Sequence, residues 1–266
     1  MIALRWGGRE VQIEVRWIGS PELQGDQRCP LVVFLHEGLG SVSAWGGFPE
    51  RLCKQLSIAG LVYSRPGYGQ STQCSIEERW ESNYLHRQAE EVLPLLLATL
   101  GVRPELRPIF LLGHSDGASI ALIYASRRSI QLAGLVVMAP HIFVEDITIS
   151  GVEAAREAFL TGRLRERLAR HHRDPDSAFW GWNRIWLDPQ FRSWSIEDQI
   201  VGIDCPILAM QGLQDGYATM AQLQGIKLRL PQTWLLEIPD CGHSPHRAHP
   251  DLVCRAIQEF VVASLS

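Results

Sequence analysis

Short, unbroken apolar runs recur along the chain: Leu31–Leu35 (LVVFL), Gly60–Tyr63, Ile109–Leu112, Leu135–Met138, Ile207–Met210 and Trp234–Ile238. Runs of this kind predict strands covered on both faces. Ala3–Trp6 and Val11–Ile18 alternate in character and predict opening strands. Between the runs, helical patterns span Phe48–Ser57, Glu81–Leu100, Ser115–Arg128, Ala218–Leu230 and Pro250–Val262. Strand alternating with helix predicts an α/β fold, a mostly parallel sheet with helices on both faces. The alternation lapses once, between residues 141 and 196. That segment holds helical patterns at Gly151–Leu160 and Arg163–His171, then the aromatic run FWGWNRIWLDPQFRSW. It reads as a helical cap over a core made of residues 1–140 and 197–266, with CPILAMQG leading back into the sheet.

Composition changes this picture little. A chain of 266 residues, 46% hydrophobic, can bury a large single core. Its net charge of −4 carries no signature of a nucleic-acid partner. Six cysteines without a C-x-x-C pair argue against a zinc cluster and a disulfide framework. The N-terminus lacks a basic-then-apolar leader, and no apolar run approaches the roughly 18 residues of a membrane span. A cytoplasmic protein with no membrane partner is expected.

The chemistry concentrates at strand ends. In Gly113-His114-Ser115-Asp116-Gly117 a buried strand turns directly into a helix, the G-x-S-x-G pattern that lifts a serine above a sheet. A serine needs a base at neutral pH, and the base needs an orienting acid. An open α/β sheet puts its ligands beyond the carboxyl ends of its strands. His243 follows the strand TWLLEIP and Asp215 follows ILAMQG, so Ser115, Asp215 and His243 form a candidate triad in the order Ser…Asp…His. Asp240, Glu145 and Asp146 are rival acids. His243, His246 and His249 have helix-like spacing, but residues six apart diverge by roughly 240° on a helix, so no metal site is expected. The oxyanion donors expected are the backbone N–H groups of Asp116 and Gly38, the latter in the loop after LVVFL.

Together these blocks resemble the α/β-hydrolase superfamily over essentially the whole chain. His36-Glu37-Gly38-Leu39-Gly40-Ser41 resembles its H-G-x-x-G-S loop, and Arg65-Pro66-Gly67-Tyr68-Gly69-Gln70-Ser71 its R-G-x-G-x-S turn. The S-D-G elbow and small cap are most similar to the valacyclovir-hydrolase (biphenyl-hydrolase-like) branch. The resemblance implies a cofactor-free serine hydrolase of small esters. Glu37 departs from the usual glycine, and Ser64 stands where an aspartate often precedes the turn.

For the substrate, Glu37, His141 and Trp180 are candidate contacts. An ionised Asp116 about 6 Å from an oxyanion would cost roughly 2.8 kcal/mol at an effective dielectric of about 20. The carboxylate must therefore be satisfied by protein donors or neutralised by a cationic substrate group. Arg156, Arg163, Arg165, Arg167, Arg170 and Arg173 make the cap basic; they read first as a solvated face and second as steering for acidic substrates. Trp182, Trp186 and Trp194 either join Trp180 in an acyl pocket or pack the cap. The leading function is a carboxylesterase or lactonase acting on a small molecule. C–C bond hydrolysis of ring-cleavage products and a non-enzymatic ligand receptor are the alternatives.

Overall fold

The computed structural model describes residues 1–127 and 131–266. Among them, nine strands form: β1 (Ile2–Trp6), β2 (Arg9–Ile13), β3 (Val15–Ile18), β4 (Leu31–Leu35), β5 (Ala59–Tyr63), β6 (Ile109–His114), β7 (Gly134–Met138), β8 (Ile207–Gly212) and β9 (Trp234–Ile238). The main sheet has seven strands in the order β3-β5-β4-β6-β7-β8-β9. β3 runs antiparallel to β5, and every other neighbouring pair is parallel. Every residue of β4 to β8 is buried, as the unbroken apolar runs predict. Successive side chains point to opposite faces. Thus Leu31, Val33 and Leu35 enter one core cluster while Val32 and Phe34 enter the other. β9 departs from the pattern: it is the sheet edge, and Trp234 and Leu235 are exposed.

The chain leaves β4 toward one side of the sheet and returns past it to build β6. The order reverses there, and the crevice between the loops after β4 and β6 is where an open sheet binds ligands. This places the loop starting at His36 beside Ser115.

Some boundaries differ from expectation, each for a local reason. Val11–Ile18 is two strands in separate sheets. At Glu14 the backbone leaves one for the other, donating to Ser71 Oγ at 2.9 Å and accepting from the Ser64 N–H at 2.9 Å. The pattern over Glu81–Leu100 becomes a helix from Tyr84 to Thr99 with a π turn at Gln88–Val92. Pro94 causes it: proline has no N–H and its ring crowds the carbonyl four residues earlier. That carbonyl, on Glu90, accepts from Arg127 instead at 3.1 Å. The helix after Ser115 spans Asp116–Ala125, and Arg128, its expected end, lies outside the described residues. Helix Ala221–Arg229 starts later, and Pro250–Leu265 ends later, than predicted.

Between β7 and β8 lie helices Asp146–Leu160, Arg163–Leu168 and Pro175–Trp186 and a 3-10 turn at Pro189–Ser193. The aromatic run therefore contains a helix that its tryptophans mask. Asp174 caps it by accepting from the Ser177 N–H at 3.0 Å, and Pro175 opens it. Its buried residues Ala178, Phe179, Trp182, Ile185 and Trp186 follow a helical period. No helix among the described residues is long and apolar enough to cross a membrane.

Candidate active site

Ser115 sits between β6 and helix Asp116–Ala125 at φ 53° and ψ −118°, a conformation sterically costly for any side chain. The Ser115 N–H donates to the Met138 carbonyl at 2.9 Å, which holds the turn. Two glycines make the turn possible. A Cβ at Gly117 would sit on the Leu35 carbonyl, and one at Gly113 on the Gly117 carbonyl. The strand therefore passes into the helix with no room for larger residues.

His243 and Asp215 come together because β8 and β9 are neighbours and the loops that follow them interlock. The Gln214 N–H donates to the Cys241 carbonyl at 2.9 Å, and the Gln214 side chain accepts from the Cys241 N–H at 2.9 Å. His243 Nδ1 lies 2.9 Å from both carboxylate oxygens of Asp215. Burial works against the charge of Asp215. The hydrogen bond and charge of His243, with the Tyr217 N–H at 2.8 Å, nevertheless hold its carboxyl below the ordinary range. An Nδ1–H given to this carboxylate leaves Nε2 as the acceptor. Ser115 and His243 line one cavity. No hydrogen bond of the Ser115 hydroxyl is found among the described residues, a contact that in ligand-free sites often tightens only with substrate.

Two of the rival acids, Glu145 and Asp146, are engaged elsewhere, and the third stands in solvent. Asp240 is exposed in a turn. Glu145 accepts from Thr219 and Gln222, and Asp146 pairs with Arg192. The three histidines do not converge on a common point. His246 packs against Trp45 and Phe48, with ring centroids 5.1 and 5.2 Å away, and the His249 ring reaches the Asp240 carbonyl at 3.1 Å. No group of three or more His, Cys, Asp or Glu among the described residues is arranged to hold a metal ion.

The loop after β4 is organised by Arg65, which in the sequence stands out only as the first residue of its turn. Its backbone N–H donates to His36 Nε2 at 3.0 Å, and its guanidinium donates to the Glu37 carbonyl at 2.9 Å and to Asp116 at 3.4 Å. His36 is fully buried and next to this cation, and both push its pKa well down. Its Nδ1 faces the Glu37 carbonyl at 2.7 Å, so the ring is neutral with the proton on Nδ1. Gly38 lies beneath Trp182, where a Cβ would collide with the indole. His172 ties the cap to this loop: it meets the Leu39 carbonyl at 2.9 Å and the Gly69 N–H at 3.0 Å.

Asp116 answers the question its position raises. Its carboxylate is buried, accepts from the Tyr84 hydroxyl at 2.9 Å and meets Arg65 at 3.4 Å. Burial raises its pKa, and Arg65 and Tyr84 oppose that rise. The protein takes up Oδ2, while Oδ1 is buried with no hydrogen-bond partner among the described residues, so of the two alternatives the fold favours a carboxylate held by protein donors over one that meets a substrate ammonium. Tyr84 carried no signal in the sequence.

The cavity over Ser115 has a volume of about 380 Å³. Glu37 and His141 line it; Trp180 does not, and its place is taken by Trp182 and Trp186. The helical period explains the correction, because Trp180 faces away from those two and takes Arg184 over its ring at 5.6 Å. Trp194 packs on Phe191 instead, with ring centroids 5.3 Å apart. Glu37 is 22% exposed and faces His114 at 3.2 Å and Arg247 at 3.7 Å. Burial opposes its charge, but these partners keep its pKa well below the usual range. His141 is buried, with Nε2 3.3 Å from the Tyr217 carbonyl and Nδ1 without a partner. Burial, then the nearby His243, lowers its pKa to about 4, which keeps the ring neutral.

Comparison with known proteins agrees with this architecture. Residues 32–256 match the model of the alpha/beta hydrolase family. A stretch of 129 residues, 47% of the chain, is 31% identical to monoglyceride lipase of Homo sapiens and covers 40% of that protein's length. The fold is similar to that of a thermophilic esterase from Thermogutta terrifontis, with a TM-score of 0.75 and 18% identity over 100% of this chain and 98% of the other. It is also similar to the enol-lactonase from Burkholderia xenovorans, with a TM-score of 0.73 and 18% identity over 98% and 99% of the two chains. At these identities the structural likeness speaks for the fold.

Proposed function

The chain belongs to the alpha/beta hydrolase family, and we propose that within it this protein is a serine hydrolase cleaving small-molecule esters or lactones. The observation that carries the reading is the bidentate approach of Asp215 to His243 Nδ1, both at 2.9 Å, in a cavity that also exposes Ser115. In this mechanism His243 Nε2 takes the proton of Ser115 as its oxygen attacks the carbonyl carbon. The negative charge that forms on the carbonyl oxygen is met by the backbone N–H groups of Asp116 and Gly38. Collapse of the tetrahedral intermediate expels the alcohol, which receives the proton from His243, and leaves an acyl group on Ser115. Water then repeats the sequence and releases the acid. Asp215 stays ionised and stabilises the imidazolium that appears twice in the cycle.

The S-D-G elbow and small cap support a place near the valacyclovir-hydrolase branch. That placement is carried only as far as small ester substrates, since the Asp116 carboxylate is engaged inside the protein. Six unpaired cysteines favour a reducing compartment, and we place the reaction in the cytoplasm.

A panel of p-nitrophenyl esters, lactones and ring-cleavage products, with a fluorophosphonate label, tests the reading. Ser115→Ala should lose the label and lower kcat by on the order of 10⁶. Asp215→Asn should cost about 10⁴, because the wrong imidazole tautomer is favoured, while Asp240→Asn should stay close to wild type. Retention of a tenth of the activity in Ser115→Ala would sink the assignment.

A further inference from the structure

The mouth of the cavity is charged in one sense. Arg167 and Arg170 of the cap and Arg247, four residues beyond His243, all line it and are all exposed. His171, next to Arg170 in the chain, lines the cavity with them, and its Nδ1 lies 3.0 Å from the Ser43 hydroxyl. Burial lowers the pKa of His171, and Arg247, Arg170 and Arg167 lower it further, while Glu37 opposes them. Of the other cap arginines, Arg165 pairs with Asp176, at 2.9 Å through Nε, and Arg192 with Asp146, while Arg156, Arg163 and Arg173 do not line the cavity. Among the described residues, Arg167 and Arg170 have no carboxylate within ion-pair distance. Arg247 gives one N–H to the Ala44 carbonyl at 2.7 Å and faces Glu37 at 3.7 Å. Glu37 is therefore already matched by His114 and Arg247, and Asp215 by His243. That leaves two guanidinium groups uncompensated at the entrance to a site that also presents the apolar side chains of Val152, Leu164, Leu168, Trp182 and Trp186.

From this we infer that the substrate is an anionic ester or lactone. Its apolar body packs on Trp182 and Trp186, and a carboxylate remote from the scissile carbonyl is held by Arg167 and Arg170, with Arg247 adding to the field. The inference rests on the serine-hydrolase reading and adds the substrate class to it. Guanidinium is the side chain whose fork matches a carboxylate. A cluster of one sign at a cavity mouth also raises the capture rate of the opposite charge, in a salt-dependent way. Hydrolysis adds water across the ester bond: an acyclic ester gives a free alcohol and a dicarboxylate, a lactone a single hydroxy-dicarboxylate.

The test compares kcat/KM for ethyl hydrogen adipate with that for diethyl adipate, in the wild-type protein and in the double variant Arg167→Gln, Arg170→Gln. The half-ester should be preferred by about tenfold or more at low salt, with less preference as salt rises. In the double variant the half-ester/diester ratio should fall about 10- to 100-fold, mostly through KM, as expected for lost charge-assisted contacts. A second readout needs no turnover. Adipate should protect Ser115 from the fluorophosphonate in the wild type, at a concentration at least about tenfold lower than in the double variant. Normal labelling by the double variant reports that its fold is intact. If wild-type Ser115 labels, but the diester is preferred, the ratio survives the double substitution, or adipate fails to protect, this inference alone is overturned. If wild-type Ser115 does not label and turns over neither ester, the serine-hydrolase reading falls and this inference with it.

Discussion

A carboxylate beside the proposed nucleophile Ser115 would oppose the proposed reaction unless something held it, and Asp116 is held from behind by Arg65 and Tyr84. The same residue is proposed to give its backbone N–H to the oxyanion, so one position serves the front of the site through its main chain and the back through its side chain. Arg65 is likewise shared: it spans the Glu37 carbonyl in the loop after β4 and Asp116 in the elbow, and thereby sets the two proposed oxyanion donors against each other. Asp116→Ala should therefore act on stability before specificity. It leaves a guanidinium buried without its partner, and unfolding in urea should show a loss of about 3–5 kcal/mol. A loss under about 1 kcal/mol would mean that the pair contributes little.

At the scale of elements, the elbow is the place where strand, helix and loop compete for the same space. Overpacking a well-filled site typically costs about 1–3 kcal/mol, and Gly117→Ala should reach the upper end, because the new methyl meets the Leu35 carbonyl rather than a movable side chain. Chemical denaturation reads the loss. Fluorophosphonate labelling should slow in parallel, since β4 carries the loop proposed to supply the second oxyanion donor. An unaltered labelling rate would separate the two elements. The elbow was legible in the sequence because its glycines and its strand-to-helix switch are local. The helix Pro175–Trp186 was not recognised within FWGWNRIWLDPQFRSW, since aromatics crowd both faces of that run and blur the helical period, although Asp174-Pro175 marks its start. Pro94 was visible as well, but the π turn it forces depends on Arg127 arriving to satisfy Glu90.

Across the whole molecule, burial has been spent on histidine. His36, His141, His172 and His246 are buried, and burial is the first cause lowering each pKa, to about 4 for His141 and about 3 for His246. The unfolded chain binds protons at these rings near pH 6.5 and the folded chain does not, so stability rises with pH across that window and falls on acidification. Asp215 and Glu37, held low, add to the loss once the pH falls through the ordinary carboxylate range; Asp116, raised, acts in the opposite sense. The urea midpoint should therefore drop between about pH 6.5 and 4.5, before most carboxylates titrate. His246→Phe isolates one contribution, because both ring nitrogens of His246 are unpartnered and its neighbours are Trp45 and Phe48. The variant should lose less stability over that range, by on the order of 2 kcal/mol. Parallel curves for the two proteins would show that His246 protonates without cost in the fold.

What could be read before any coordinates was whatever depends on neighbours in the chain. Apolar runs announce buried strands because a strand covered on both faces has no polar alternation, and Gly113 to Gly117 announce a turn because only glycine clears it. The order of Ser115, Asp215 and His243, each at a strand end, was likewise legible, since an open sheet collects the ends of its parallel strands on one side. Side-chain direction was beyond reach. Asp116 could as well have faced a ligand, Trp180 could as well have lined the cavity, and the six cap arginines were indistinguishable in sequence. Packing separated them: helix Pro175–Trp186 turns Trp182 and Trp186 inward and Trp180 outward, Asp176 takes Arg165, and Arg167 and Arg170 are left at the mouth. Those outcomes depend on which distant residue arrives at a given point, and only the folded chain decides that.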